Sequence, residues 1–406
     1  MPRNVVFVAP FAADVSMRFL RAAAQLEGIT LLGVCHTLPS GADGKLFVDA
    51  ARVENPLDTG ELIAAVGKLQ AKYGPIDRLV GILEGMQVQL AEVREHFGIA
   101  GTRPEVARRF RDKAEMKRVL ADAGLPVARN ALLRSAQEAR AFAELVGFPL
   151  VLKPPAGMGS KSTFRMRSFA ELDAAIAGLR VGEHNPVLAE EFLQGREFSF
   201  ETITVNDEPK LHSISHYMPT CLEAVENPWV QWCCVLPKDI AGSEYDGIKD
   251  IGRRAIKALG LTEGMTHMEW FQRADGSLAI GEIAMRPPGA NISIMMGHAY
   301  NDSIYLAWNQ AVIEQRFEGS WERKYAVGTA FLRGMGHGRV AGVNGIGEVH
   351  RQLGPSVCEA KLPTIGAFKN DSYEGDGYIV VKDPNTEVVK QMLKTIVDTV
   401  RVSYAG

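Results

Sequence analysis

Two glutamates on one predicted β-hairpin are the residues of this chain best suited to do chemistry. Residues 265–273 and 277–285 alternate apolar and polar side chains and flank Asp275-Gly276, a pair typical of a two-residue turn. That turn places Glu269 directly opposite Glu282, with Cβ atoms roughly 4.5–5.5 Å apart. Because facing carboxylates repel each other, we expect a shared proton or a hard divalent cation to neutralise them.

The neighbours of this pair favour a site over an ordinary surface. Phe271 and Ile280 are expected on the same face, where they would half bury the carboxylates. His267 would face Ala284, and Arg286 follows on the second strand. A solvated hairpin face carrying surface carboxylates is the alternative, and the nearby histidine and arginine make it the less favoured one.

A lysine at the end of an apolar strand is the second feature. Residues 150–153 form the predicted strand, which ends in Lys153, and residues 154–162 form a loop of small residues. The lysine would offer a point charge to a phosphate, and the loop would offer N–H groups and hydroxyls. The loop lacks the G-K-[ST] order, and Ser162 stands where G-x-G-x-x-G needs its last glycine. A plain hairpin loop with a surface lysine is the alternative.

Periodicity predicts how these residues are positioned. Strand and helix alternate over the first hundred residues, which indicates a small parallel sheet covered by helices, with ligand-binding loops at 9–13 and 84–85. Two capping boxes, Ser135-x-x-Glu138 and Ser168-x-x-Glu171, begin the helices of a second, small α+β unit. We predict a Rossmann-like domain at 1–103, a helical linker at 104–126, a small domain at 127–190 and a larger α+β domain at 191–406.

Composition excludes several classes of function. The 406 residues are 46% hydrophobic and 23% charged with a net charge of −3, and no basic run occurs, so neither nucleic acid nor a membrane surface is an expected partner. The five cysteines form no C-x-x-C pair, which fits reduced thiols in a cytoplasm. The first apolar run is broken by Pro10 and Asp14, so no signal peptide is expected.

Five motifs in order resemble those of the ATP-grasp superfamily. They are Arg111-Asp112-Lys113, FPLVLKPPAGMGSKS at 148–162, LAEEFLQGRE at 188–197, His267-Met268-Glu269 and GEIAMR at 281–286. H-x-E followed by E-x-A-x-R-x-x-G is most similar to the L-amino-acid ligase (carboxylate–amine ligase) branch. The resemblance implies a three-domain ATP-grasp fold in which residues 127–190 are a mobile lid. Ala284 departs from the asparagine that many members use as a metal ligand, which leaves the number of metal ions open.

The resemblance implies ATP as cofactor, with one or two Mg²⁺ ions or Mn²⁺ in their place. Glu269 and Glu282 would bind the metal, Lys113 and Lys153 the phosphates, and Arg286, with Lys153, would be catalytic. The other nucleotide-binding residues belong to the phosphate loop, the adenine hinge and the ribose site: Gly157, Gly159, Ser160, Ser162, Glu190, Glu191, Phe192, Leu193 and Glu197.

The implied reaction joins a carboxylate to an amine through an acyl phosphate and releases ADP and phosphate. Amino acids are the expected substrates, and the candidate substrate residues are Arg286, His267, Gly289, Asn291 and Arg333. A biotin-carboxylase-like or purine-pathway enzyme with another acceptor is the alternative, followed by an ATP-binding phosphotransferase or regulatory protein. The expected location is the cytoplasm; analogy with the family allows a homodimer, and the sequence leaves the oligomeric state open.

Overall fold

The N-terminal part of the chain forms a four-stranded parallel sheet. The computed structural model describes residues 2–157, 163–319 and 321–406. The strands lie in the order β3-β2-β1-β4, and their apolar runs are buried between helices. The elements are β1 Arg3–Val8, α1 Asp14–Ala23, β2 Ile29–Cys35, α2 Gly41–Gly44, β3 Asp49–Arg52, α3 Thr59–Tyr73, β4 Arg78–Val80 and α4 Gln87–Phe97.

Two helices, α5 (Pro104–Arg111) and α6 (Lys113–Asp122), occupy the predicted helical linker. The chain turns between them at Asp112, whose carboxylate accepts from the N–H groups of Ala114 and Glu115 at 2.9 and 3.0 Å and so caps α6. Lys113 is therefore the first residue of a helix, and Lys117 lies one turn further along the same face.

A second sheet is small and antiparallel, in the order β5-β8-β6-β7. Both predicted capping boxes begin helices, since Ser135 and Ser168 accept from the N–H groups of Glu138 and Glu171 at 3.2 Å. The pairing of Val151 with Glu190 puts Lys153 and Glu190 on the same face. The elements are β5 Asn130–Leu133, α7 Ala136–Val146, β6 Leu150–Lys153, β7 Phe164–Met166, α8 Phe169–Gly178 and β8 Val187–Glu191.

The largest sheet is antiparallel, in the order β13-β12-β9-β10-β11-β14-β17-β16, and β15 pairs with β18 beside it. Its elements are β9 Arg196–Val205, β10 Glu208–Met218, α9 Cys221–Glu226, β11 Cys233–Leu236, α10 Asp246–Leu259, β12 Gly264–Gln272, β13 Leu278–Ala284, α11 Ile292–Tyr300, α12 Ile304–Asn309, β14 Ala326–Leu332, β15 Arg339–Asn344, α13 Ile346–Leu353, β16 Val357–Lys361, β17 Gly377–Asp383, α14 Thr386–Thr399 and β18 Arg401–Ala405.

The hairpin β12–β13 carries both glutamates, but its turn differs from the prediction. Arg273 N–H donates to Ser277 O at 2.8 Å, so the loop has three residues and ends at Gly276, whose φ of +84° suits glycine. A β-bulge then shifts the register between Glu269 and Trp270, and Gly281 is the extra residue. The bulge restores the pairing of Glu269 with Glu282 and of His267 with Ala284, as predicted.

The predicted environment of the glutamates was wrong beyond this bulge. Ile280 pairs with Trp270 and is buried in the core on the other side of the sheet, whereas Phe271 pairs with Ala279 and lines the cavity described below. A Cβ on Gly281 would lie 3.0 Å from the Phe271 ring. The ring of Phe271 therefore packs against the backbone at Gly281 and leaves little room for a larger side chain there.

The parallel sheet and the large sheet share one apolar core. It joins Phe7 and Phe19 of the first unit to Ile203 and Met295 of the last. This shared core fixes the loop after β4 against the hairpin. Among the described helices, none has the length and apolar character needed to cross a bilayer.

Candidate active site

A cavity of about 660 Å³ lies where the small sheet, the hairpin and the loop after β4 meet. It is large enough for a nucleotide-sized ligand. It brings together most of the predicted site residues, which come from five separate stretches of the chain: Lys113, Lys153, Gly157, Glu190, Glu191, Phe192, Leu193, Glu197, His267, Glu269, Glu282, Arg286 and Gly289.

The two facing glutamates are partly accessible from this cavity, with 33% and 23% of the side chains of Glu269 and Glu282 exposed. Lys113 Nζ donates to Glu282 Oε1 at 2.6 Å and to the Gly157 carbonyl at 3.0 Å. Burial alone would raise the pKa of Glu282, but the charges of Lys113 and Lys153 outweigh burial and lower that pKa. Glu282 is therefore a carboxylate ready to accept cations.

A second acidic group, Glu190, bridges two buried lysines. Its Oε1 lies 3.0 Å from Lys153 Nζ and 3.2 Å from Lys117 Nζ, and Lys117 also donates to the Gly281 carbonyl at 2.8 Å. Burial lowers the pKa of Lys117, whereas for Lys153 the charges of Glu190 and Glu282 outweigh burial and raise it. The prediction assigned Glu190 a role mainly through its backbone, and the structure adds a role for its side chain.

The predicted adenine hinge has a fixed backbone. Glu191 N–H donates to Arg129 O at 2.9 Å and Phe192 N–H donates to Pro149 O at 3.3 Å, whereas Leu193 N–H makes no hydrogen bond to a described residue. The Glu191 carboxylate is held by Arg129 Nε at 2.7 Å and Arg273 Nη2 at 2.9 Å. Leu193 is therefore the hinge residue best placed to donate to a ligand.

Glu197 is buried at the floor of the cavity. Its Oε2 accepts from Cys221 N–H at 2.7 Å, and its carboxylate, the Cys221 thiol and Glu269 have ligand atoms within 4.8 Å of one another. Burial, and then the negative charge of Glu269, raise the pKa of Glu197 to about 8. Two carboxyl groups and a thiol thus lie close together at this end of the cavity.

His267 belongs to a buried chain of polar groups. Its Nδ1 lies 2.9 Å from Oε1 of Glu201, which has no exposed surface, and its Nε2 lies 3.8 Å from Glu269 Oε1. Burial would lower the pKa of His267, but its hydrogen bonds to Glu201 and then Glu269 outweigh burial and raise it. His267 is therefore held in place between the carboxylates of Glu201 and Glu269.

Arg286 is oriented by an acid from the N-terminal unit. Its Nε donates to Glu84 Oε2 at 2.9 Å, and Arg111 Nη1 lies 3.2 Å from the other oxygen of that carboxylate. Glu84 is only 8% exposed, so the carboxylate holds both guanidinium groups in place. Arg286 lines the cavity on the same wall as Gly289, Ala290 and Tyr373.

Several predicted residues are not brought to the site. Arg333 is buried elsewhere and donates to the carbonyls of Ala224 and Val230 at 2.8 and 3.1 Å, so its predicted contact with substrate has no support. Asn291 follows the lining residues Gly289 and Ala290 but does not itself line the cavity. The predicted phosphate-loop residues Gly159, Ser160 and Ser162 lie outside the described residues.

Three residues of the site were missed from the sequence. Lys117 could have been found, because it lies four residues after Lys113 on one helix face. Glu84 was marked only as part of a ligand-binding loop. Glu201 had no signal of its own, since its role depends on the pairing of β9 with β12.

Comparison with known proteins identifies this arrangement. Residues 118–292 match the family model of the ATP-grasp domain. The L-arginine-specific L-amino acid ligase of Bacillus subtilis is 30% identical over 239 residues, which cover 58% of this chain and 57% of that protein. The chain therefore spans little more than half the length of this relative.

Solved structures of two enzymes have the same fold. The L-amino acid ligase from Bacillus licheniformis superposes with a TM-score of 0.81 at 17% identity and covers 100% of this chain and 99% of its own. Phosphoribosylglycinamide synthetase from Anaerococcus prevotii gives a TM-score of 0.71 at 16% identity and covers 100% of both chains. The predicted fold class is confirmed.

The chain contains an ATP-grasp domain at residues 118–292, which confirms the resemblance drawn from the five motifs.

Proposed function

We propose that this chain is an ATP-dependent carboxylate–amine ligase that releases ADP and phosphate. The observation that carries the proposal is the meeting of the facing carboxylates Glu269 and Glu282 with Lys113, Lys153 and Arg286 in one cavity. Acidic groups that can hold a metal, beside cations that can hold phosphate, are what phosphoryl transfer from ATP requires. We also propose that the small sheet acts as a lid.

The donor set suits Mg²⁺ or Mn²⁺. Glu269 and Glu282 offer carboxylate oxygens, which hard divalent ions prefer. Held by these carboxylates, such an ion would supply positive charge that stabilises the negative charge developing on the transferred phosphoryl group. His267 is a poorer ligand, because imidazole nitrogen suits these hard ions less well than carboxylate oxygen does.

The residues of this chain have separate roles in the proposed reaction. Lys113 and Lys153 would bind the phosphates, and the Leu193 N–H would donate a hydrogen bond to the adenine. Arg286, fixed by Glu84, would hold the carboxylate near the γ-phosphate. An oxygen of the carboxylate would attack the γ-phosphorus and displace ADP. The amine would then attack the acyl carbon, form the C–N bond, lose a proton and displace phosphate.

Amino acids are the substrates that we propose. The support is the 30% identical ligase, whose name specifies L-amino acids, together with the acidic and basic groups of the substrate end of the cavity. Arg286, which lines this cavity, can face the carboxylate of an amino acid. A carboxylase or purine-pathway reaction is the alternative, but no observation on these residues favours it.

The test is release of ADP and phosphate from Mg-ATP with single and paired amino acids, followed by mass spectrometry of the products. We expect turnover to require a pair and to give a product lighter by one water than the two together. ADP release that occurs only with bicarbonate or a ribonucleotide would reject the amino-acid ligase and keep the ATP-grasp chemistry.

We expect Lys153→Ala to weaken nucleotide binding. Lys153 lies at the end of β6, where its ammonium group contacts Glu190. In the proposed complex this group contacts phosphate instead. Loss of one such charge–phosphate contact should raise the Kd for a non-hydrolysable ATP analogue about tenfold, measured by calorimetry with Mg²⁺ present. Lys257→Ala, at an exposed position of α10, is the control, and equal Kd values in the two variants would refute the role of Lys153.

A further inference from the structure

A second, smaller cavity lies behind the wall that carries Arg286. Its volume is about 40 Å³, and it lies between the end of β4, helix α4 and the beginning of β12. One water molecule needs roughly 10–15 Å³ of such space, so the cavity has room for a few waters or one small ion. The proposed reaction makes no use of it.

Basic side chains dominate the lining of this second cavity. Arg78 and Arg94 both contribute, and Glu263 is the acidic residue that lines it. In the described part of the chain, neither arginine has a carboxylate oxygen within 4.0 Å. Glu263 is instead engaged by Gln315, whose Nε2 donates to it at 3.2 Å. The lining therefore carries more positive than negative charge.

The two guanidinium groups also lack acceptors. Arg94 Nε donates to Leu79 O at 2.9 Å, and Arg78 Nε donates to Ile313 O at 3.3 Å. Each guanidinium has five N–H donors, and these carbonyls are the only acceptors they find among the described residues. Arg94 Nη1 is shielded from solvent and has no partner there. Burial lowers the pKa of Arg94 to about 10, although Glu263 opposes that effect.

Leaving buried cations without partners is costly, and a counter-ion removes that cost. We propose that the second cavity is a binding site for a small inorganic anion of the size of chloride, held between Arg78 and Arg94. The site is separate from the proposed ATP and substrate site, because Arg286 stands between the two cavities and turns its Nε toward Glu84. Thr102 and Gln87 supply further polar lining.

Thermal unfolding of the full chain tests this site without any assay of activity. We expect Tm to be about 2–4 °C higher in sodium chloride than in sodium gluconate at equal ionic strength, because gluconate is too large to enter. Arg94→Gln should abolish the difference. Arg109→Gln is the matched control, because Arg109 is also a partly buried helical arginine that donates to one carbonyl, Leu259 O at 3.3 Å. It should keep the difference in Tm, because Arg109 does not line the cavity.

Equal Tm values of the wild-type chain in both salts would overturn the proposal, and so would an unchanged chloride effect in Arg94→Gln. A second measurement uses the wild-type chain alone, in case Arg94→Gln does not fold. Crystals grown in bromide should give an anomalous peak between the guanidinium groups of Arg78 and Arg94. A map that shows bromide at other sites but lacks this peak would also overturn the proposal.

Discussion

Replacing Glu282 by glutamine should lower ATP turnover at least about a hundredfold while the fold stays intact. Glu282 faces Glu269 across the hairpin and accepts from Lys113 at 2.6 Å. The amide has nearly the same shape but carries no charge, so it weakens the proposed metal site, whose contribution to the transition state is several kcal/mol. Release of ADP under saturating Mg²⁺ and ATP measures the effect, and circular dichroism checks the fold.

The turn of the same hairpin supplies the control for this variant. Asp275→Asn also removes one carboxylate, at an exposed residue of the loop between β12 and β13. We expect its turnover to stay within about twofold of the wild type, in line with the small effects of surface substitutions. If Glu282→Gln turned over ATP as fast as Asp275→Asn, the metal site would not be at the facing glutamates.

Arg286→Met should separate binding of the carboxylate from binding of ATP. The guanidinium lines the cavity and is fixed by Glu84 at 2.9 Å, so its loss removes a positioned charge and leaves Glu84 with Arg111 alone. We expect kcat/KM for the carboxylate substrate to fall about 100- to 1,000-fold, the range for losing one preorganised charge contact. The Kd for the ATP analogue should change less than about threefold.

Two further variants show whether that result comes from the position of Arg286. Glu84→Gln keeps Arg286 but weakens its orientation, so we expect a smaller loss of about tenfold in kcat/KM. Arg118→Met removes an exposed arginine of α6, which pairs with Asp122, and should have no effect on either constant. A parallel loss of ATP affinity and carboxylate reactivity in Arg286→Met would place this arginine at the nucleotide instead.

The hairpin illustrates what alternation along a sequence can and cannot predict. The period of two identified both strands and the face that carries Glu269 and His267, since side-chain direction is a local property of a strand. The turn was predicted one residue too short. The bulge at Gly281 compensates for that error, so Glu269 still pairs with Glu282 and His267 with Ala284. A bulge is hard to foresee because it depends on what packs over it, here the ring of Phe271.

The remaining differences arise from contacts between distant parts of the chain. Glu201 and His267 meet because β9 pairs with β12, and Glu84 reaches Arg286 across two units. No spacing in the sequence encodes such meetings. For Arg333 the difference runs the other way. The sequence analysis assigned this arginine to the site, whereas in the structure it donates to two backbone carbonyls. Local patterns therefore predicted the elements and the motifs, but not how charges are paired.

The contact between Glu84 and Arg286 also limits how far the protein can be treated as modular. Residues 118–292 carry the match to the ATP-grasp family, yet the carboxylate that orients their arginine belongs to the preceding unit. A fragment cut to the family boundary would keep the proposed metal ligands and lose the partner of Arg286. If the proposed role of Arg286 holds, exchange of the N-terminal unit between related chains should alter substrate choice and leave the proposed metal ligands in place.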